Sequence, residues 1–140
     1  MLDANSAKSE SSVTLIVSSK ELMPALVTEL IGLEPDQSWQ CGDEEVLPNG
    51  RKHKFDQGCW KRFQPTAQNG LPLIRQIEFW LSTLSHKKLE FKKLEELGYS
   101  VEFNCFLTDN EEIFITLPPS LLLNLAELGI TISFDILFDI

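Results

Sequence analysis

The segment YSVEFNCFLTDNEEIFITL (residues 99–117), taken with ITISFDILFD (residues 130–139), decides the fold. In the first, Val101, Phe103, Cys105 and Leu107 alternate with Ser100, Glu102 and Asn104, with Phe106 as the exception. In the second, Ile130, Ile132, Phe134, Ile136 and Phe138 alternate with Thr131, Ser133, Asp135 and Asp139, broken only by Leu137. A repeat of two residues places one set of side chains on a dry face and the other on a wet one, the signature of a half-buried strand. Thr108, Asp109, Asn110 and Glu111 supply turn chemistry, and Ile113, Ile115 and Leu117 resume the alternation. Residues 99–117 are therefore expected to form a β-hairpin, with 130–139 as a terminal strand beside it.

Working outward, Pro118 and Pro119 open a helix that carries Leu121, Leu122, Leu125 and Leu128 and stops at Gly129. Upstream, Ile74, Ile77, Leu81 and Leu84 recur at helical spacing with Trp80 beside them, and Leu89, Leu94 and Leu97 continue to Gly98. This predicts two helices, or one kinked helix, over 72–97. Val13–Ser18 reads as a largely buried first strand, and the β-branched residues there favour it. A helix near 22–31 follows, with Pro24 in its first turn and Gly32 as its stop, and Cys59–Phe63 forms a short second strand. Residues 34–57 make the longest irregular stretch, and residues 1–11 a frayed lead-in to a single domain over 12–140. The predicted fold is α+β: a two-layer sandwich with a mostly antiparallel sheet of about five strands and two to four helices on one face, related to ferredoxin-like folds.

Composition narrows the function classes. A chain of 140 residues that is 43% hydrophobic supports one core and is not a disordered tail. Its net charge of -9 argues against a phosphate backbone as main partner, so no nucleic acid is expected. The amino terminus, MLDANSAKSESS, has neither a basic start nor an apolar run, and no stretch is long and apolar enough for a membrane helix. The expected location is cytoplasmic, with no membrane partner. Three cysteines, Cys41, Cys59 and Cys105, are an odd and widely spaced set that reads as free thiols.

The string Ile31, Gly32, Leu33, Glu34, Pro35, Asp36, followed by Trp39 and the step Cys41, Gly42, Asp43, resembles the "LGLEP…W…GD" signature of a bacterial family of uncharacterised proteins, domain of unknown function 4279. The ending LPPSLLLNLAELGITISFDIL (residues 117–137) is similar to that family's close, a leucine-rich helix and a glycine before a terminal alternating strand. The likeness runs over nearly the whole chain from Ser12. It implies the domain boundaries and a bacterial cytosolic setting, and it carries no reaction, cofactor or catalytic residue.

Chemistry must then come from the residues. Glu34, Asp36, Asp43, Glu44 and Glu45 gather five carboxylates around Trp39 and Gly42, and converging carboxylates are able to hold a hard cation. The spacing is not that of a calcium loop, so the favoured reading is an acidic, solvated loop with Trp39 against the domain edge. Cys41, His53 and Cys59, with Asp43 or Asp56, are a conceivable zinc set, but they lack the paired Cys-x-x-Cys spacing. The chain has no nucleophile elbow, phosphate loop or dinucleotide fingerprint, and its two histidines, His53 and His86, have no recognisable catalytic partner. No catalytic residue, cofactor or metal is implied, and the balance leans away from an enzyme.

Charge is distributed unevenly. Residues 94–140 hold Glu95, Glu96, Glu102, Asp109, Glu111, Glu112, Glu127, Asp135 and Asp139 without one Lys or Arg, whereas Arg51, Lys52, Lys54, Lys61 and Arg62 cluster upstream. The basic group either balances the neighbouring acidic loop or binds an anion. Asp135 and Asp139 also suit guards against edge-to-edge strand pairing. The leading expectation is a non-enzymatic protein-interaction module that presents an acidic face to an unknown, basic protein partner, as an immunity-type protein does to a basic toxin. Its candidate binding residues are Glu34, Asp36, Trp39, Asp43, Trp60, Glu102 and Asp135. The alternative is a small-ligand sensor or minor enzyme with a pocket at the 34–57 loop, lined by Trp39, Trp60 and Trp80. Monomer and homodimer through the open sheet face both remain compatible with the sequence.

Overall fold

The computed structural model describes residues 10–109 and 113–138. Their strands are β1 (Glu10–Ser19), β2 (Gln37–Trp39), β3 (Glu44–Val46), β4 (Lys52–Lys54), β5 (Gly58–Arg62), β6 (Ser100–Asp109) and β7 (Thr131–Phe138). The helices are α1 (Pro24–Ile31), α2 (Leu73–Leu84), α3 (Lys88–Glu96) and α4 (Pro119–Glu127). Five strands form the main sheet in the order β2-β5-β1-β6-β7, and β3 and β4 make a separate antiparallel hairpin. All pairings in the main sheet are antiparallel except the last, β6 with β7. The fold is thus the expected α+β sandwich with a mostly antiparallel sheet.

The two-residue period builds the core. Val13, Leu15 and Val17 of β1 stand opposite Cys105, Phe103 and Val101 of β6, and all six are buried. On the other side of β1, Val17 faces Trp60 of β5. These residues share one core with Val27, Ile31, Ile77, Trp80, Phe91 and Leu125 from the four helices. Polar atoms of the large aromatics fasten the layers: Trp80 Nε1 donates to the Val13 carbonyl at 3.0 Å, and Trp60 Nε1 donates to Thr28 Oγ1 at 3.0 Å. Gln76, buried in α2, donates through Nε2 to the carbonyls of Ser11, Gln68 and Leu71, tying the loop before α2 to the start of β1. Gly32 ends α1 at φ 81°, a left-handed conformation that a side chain disfavours, and its N–H closes on the Thr28 carbonyl at 2.8 Å.

The segment 72–97 resolves into two helices, broken by a short 3-10 turn at Ser85–Lys87. Three expectations need correction. Residues 99–117 do not fold back as a hairpin: the turn residues Asn110 and Glu111 lie outside the described residues, and 113–118 carry no strand. Both edges of β6 are already taken, one by β1 and the other by β7, so a returning strand has no ladder to join. Ile113, Ile115 and Leu117 instead pack on the core as extended chain, and α4 carries the chain back to the parallel start of β7. Nor is 34–57 irregular throughout, since it contains β2 and the β3–β4 hairpin. The dry side of β7 also ends early, with Ile132 and Phe134 half-buried but Ile136 and Phe138 exposed.

Cys105 lies at the centre of the core, and desolvation pushes its thiol up to about 12. The unfolded chain ionises this group near the ordinary value of 9.0, so between pH 9 and about 12 the unfolded state loses the proton first and stability falls as pH rises. Urea midpoints for the wild type should drop more steeply across that window than those of Cys105→Ala; parallel curves would show that this thiol is not the cause.

Candidate functional site

Because all four helices contribute to one core on one side, the other face of the sheet carries no helix among the described residues. Register lines up its side chains in rows. Trp39, Cys59, Ser18 and Ser100 form one row, and Gln37, Lys61, Ile16, Glu102 and Thr131 form the next. Thr14, Asn104 and Ser133 follow, then Ser12, Phe106 and Asp135, and finally Glu10, Thr108 and Leu137.

Three chemical zones result. At the β2 end, Trp39 stacks on Phe55 with ring centroids 4.3 Å apart, and Lys61 Nζ sits 5.4 Å from the Trp39 ring on the attractive side of its quadrupole. In the centre, Ser133 Oγ donates to Glu102 Oε2 at 2.5 Å, and Asn104 Nδ2 donates to Asp135 Oδ2 at 3.1 Å and to Ser133 Oγ at 3.3 Å. This polar chain fixes both carboxylates in place. Among the described residues, neither forms an ion pair. At the far end, Phe106 and Leu137 are exposed at 42% and 56%, large enough fractions to offer apolar contact area.

A hollow of about 280 Å³ lies between the first two zones, lined by Ile16, Trp39, Phe55, Cys59, Lys61 and Glu102 among others. Burial raises the Cys59 thiol above its ordinary range, opposed by the charge of Lys61 and reinforced by that of Glu102. Cys59 is buried and Cys41 exposed, so thiol reagents should modify Cys41 within minutes and leave Cys59 and Cys105 unmodified until denaturant is added. Mass spectrometry of the labelled chain checks this, and three equivalents reacting at once in the native state would contradict the placement of the sheet.

The residues singled out in the sequence divide between structural and outward-facing duties. Asp36 Oδ2 accepts the Phe63 N–H at 2.7 Å, tying the start of β2 to the end of β5, and Asp43 Oδ2 accepts the Gln40 N–H at 2.8 Å across a turn. Glu34 uses its backbone carbonyl, which accepts from Arg62 Nη1 at 2.8 Å. Trp60 lies in the core on the helix side with Trp80, while Trp39 lies on the opposite face, so these three indoles do not line one pocket. Glu44 stands opposite Lys54 and Glu45 opposite His53 in the β3–β4 hairpin, while Lys52 stands opposite Val46, so of the basic cluster Lys54 is set against an acid there. Among the described residues, no three His, Cys, Asp or Glu side chains come together as metal ligands, and Cys41, His53 and Cys59 are not brought into one set.

Of the acids in 94–140, Glu102 and Asp135 reach the open face. Glu95 and Glu96 belong to the end of α3, and Glu127 of α4 pairs with Lys88 at 3.3 Å. Glu111, Glu112 and Asp139, with the edge-guard role expected of the last, lie outside the described residues. Asn104, Ser133, Phe106 and Lys61 were absent from the sequence-derived set. The first two share the parity of Glu102 and Asp135, and that parity is the signal that reveals them.

A family model described as Domain of unknown function (DUF4279) matches residues 9–139. The chain belongs to this family. The match spans every element from β1 to β7, so the open face of the sheet is part of the DUF4279 domain rather than an addition to it. No curated protein and no solved structure matches the chain. No helix among the described residues is long and apolar enough to cross a membrane.

Proposed function

We propose that this DUF4279 domain is a non-enzymatic interaction module that receives a basic protein partner on the open face of its sheet, in the manner of an immunity-type protein that neutralises a basic toxin. One observation carries the reading: Glu102 and Asp135 are held in position by Ser133 and Asn104 and have no cationic partner among the described residues. Ordered, uncompensated carboxylates beside exposed apolar side chains suit an Arg- or Lys-bearing surface, because the ordering cost has been met before the partner arrives. Phe106 and Leu137 supply the neighbouring apolar area.

The test compares capture by the wild type, by Glu102→Gln/Asp135→Asn and by the helix-side control Glu95→Gln/Glu96→Gln. Loss of the two face charges should weaken a captured partner at least about tenfold, while the control leaves it unchanged. Binding by the wild type should also weaken between about 0.05 and about 0.5 M salt. A partner insensitive to the face variant and to salt overturns the reading.

The hollow beside Trp39 favours a second reading, a small-ligand sensor. A second hollow of about 640 Å³ also borders Trp39, lined by Asp36, Asp43, Glu44, Glu45 and Phe55, and it falls within the common range for ligand pockets, about 300–1,000 Å³. A thermal-shift screen of metabolites separates the two readings. A specific ligand at about a hundred times its Kd should add about 2.7 kcal/mol, and a flat screen supports the protein surface.

A further inference from the structure

The two edges of the main sheet are unlike. β2 spans only Gln37–Trp39, a length too short to template another chain. Among the described residues β7, which spans Thr131–Phe138, pairs with β6 alone, and it exposes Ile136, Leu137 and Phe138 in succession at 44%, 56% and 48%. Its one charged residue is Asp135. An edge of this length and apolar character calls for a cover.

We infer that the cover is a second copy of this chain, joined by antiparallel pairing of β7 with β7 about a two-fold axis at Phe134. The strand's own pattern selects that register. In a two-fold antiparallel pair, directly opposed residues lie on the same face and their numbers sum to a constant. An axis at Asp135 sets its carboxylate against its symmetry mate, a like-charge pair that destabilises a sheet. An axis at Ser133 or Ile136 leaves part of β7 unpaired.

An axis at Phe134 pairs residues 131–137 throughout. Ile132 then opposes Ile136 of the second copy on the helix side, and Phe134 opposes its own mate. On the open face, Ser133 opposes Asp135 of the second copy and Thr131 opposes Leu137. Apolar residues therefore meet apolar ones on the dry side, and no Asp135 stands opposite its own mate. The result is one continuous sheet whose open faces lie side by side, doubling the Glu102 and Asp135 set. This inference stands on the edge of the sheet and not on the docking reading of its face.

The test uses the full chain. Sedimentation should give a species of twice the 15.9 kDa chain mass at tens of micromolar. With a net charge of -9 on each copy, dimerisation should tighten as salt rises, opposite to the behaviour expected for a basic partner. Ile136→Lys, at an exposed position, should raise the dimer dissociation constant more than tenfold while its circular dichroism and Tm as a monomer stay native. Thr131→Cys/Leu137→Cys in a Cys41→Ser background should form a covalent dimer under mild oxidation, since both positions are exposed and the register sets them opposite each other. A chain that stays monomeric to millimolar concentration overturns the inference. So does a dimer that ignores Ile136→Lys and fails to cross-link through 131 and 137.

Discussion

Replacing Trp80 by alanine is expected to lower the unfolding free energy by about 3–5 kcal/mol, a large part of the total for a domain of this size. The indole is 1% exposed, packs between Phe79 and Phe103, and donates to the Val13 carbonyl at 3.0 Å. Truncation therefore opens a cavity at the junction of α2 with β1 and also frees a buried acceptor. Trp80→Phe keeps most of the volume and loses the N–H, so it should cost less, about 1–3 kcal/mol. Urea denaturation of both variants checks the order. A Trp80→Ala protein as stable as the wild type would mean that this helix does not rest on β1.

Gly58→Ala is the second large effect. A Cβ at position 58 would lie 2.9 Å from Leu22 Cβ, 3.1 Å from the Leu22 carbonyl oxygen and 3.2 Å from that of Ser19. The obstruction is steric, and two of the three atoms belong to backbone that is itself in place: Leu22 N–H donates to the Ser19 carbonyl at 3.2 Å. Relief requires β5 to move away from the turn after β1, at a cost of about 1–3 kcal/mol. Leu22→Ala should give no rescue, because the Cβ of residue 22 and both carbonyl oxygens remain. Thermal unfolding of the single and double variants measures this, and full recovery in the double variant would contradict the close approach.

Much of this architecture was legible in the chain because it rests on periodicity. Val101, Phe103, Cys105 and Leu107 show which side of β6 is dry, and Gly32, Gly98 and Gly129 mark the helix stops. The false hairpin at 99–117 has the same origin. Ile113, Ile115 and Leu117 alternate because extended chain lying on a core also buries every second residue, with or without a ladder. Which strand lies beside β6 is a question of competition for its edges, and spacing alone does not reveal it. β2, β3 and β4 were invisible for another reason: three residues are too few to show a period, and the β3–β4 pair is built from exposed, mostly polar residues with no dry side.

The site divides along the same line. Glu102 and Asp135 were readable as outward-facing partners from parity once β6 and β7 were seen as strands, and the parallel register does set them on one face with Asn104 and Ser133. Trp60 was misassigned because an indole in a basic segment looks available, whereas its pairing opposite Val17 turns it into the core. Asp36 and Asp43 looked like ligands, but the first ties the start of β2 to the end of β5 and the second closes a turn, roles governed by backbone geometry that composition does not report.

In the proposed function, Glu102 and Asp135 are the charges that meet a partner. Carbodiimide labelling of carboxylates, quantified by mass spectrometry in the free chain and in the partner-bound complex, tests it most directly. Glu102 and Asp135 should lose most of their labelling in the complex, while Glu95 and Glu96 of α3 label as before. Protection of the α3 carboxylates with Glu102 and Asp135 still reactive would contradict it.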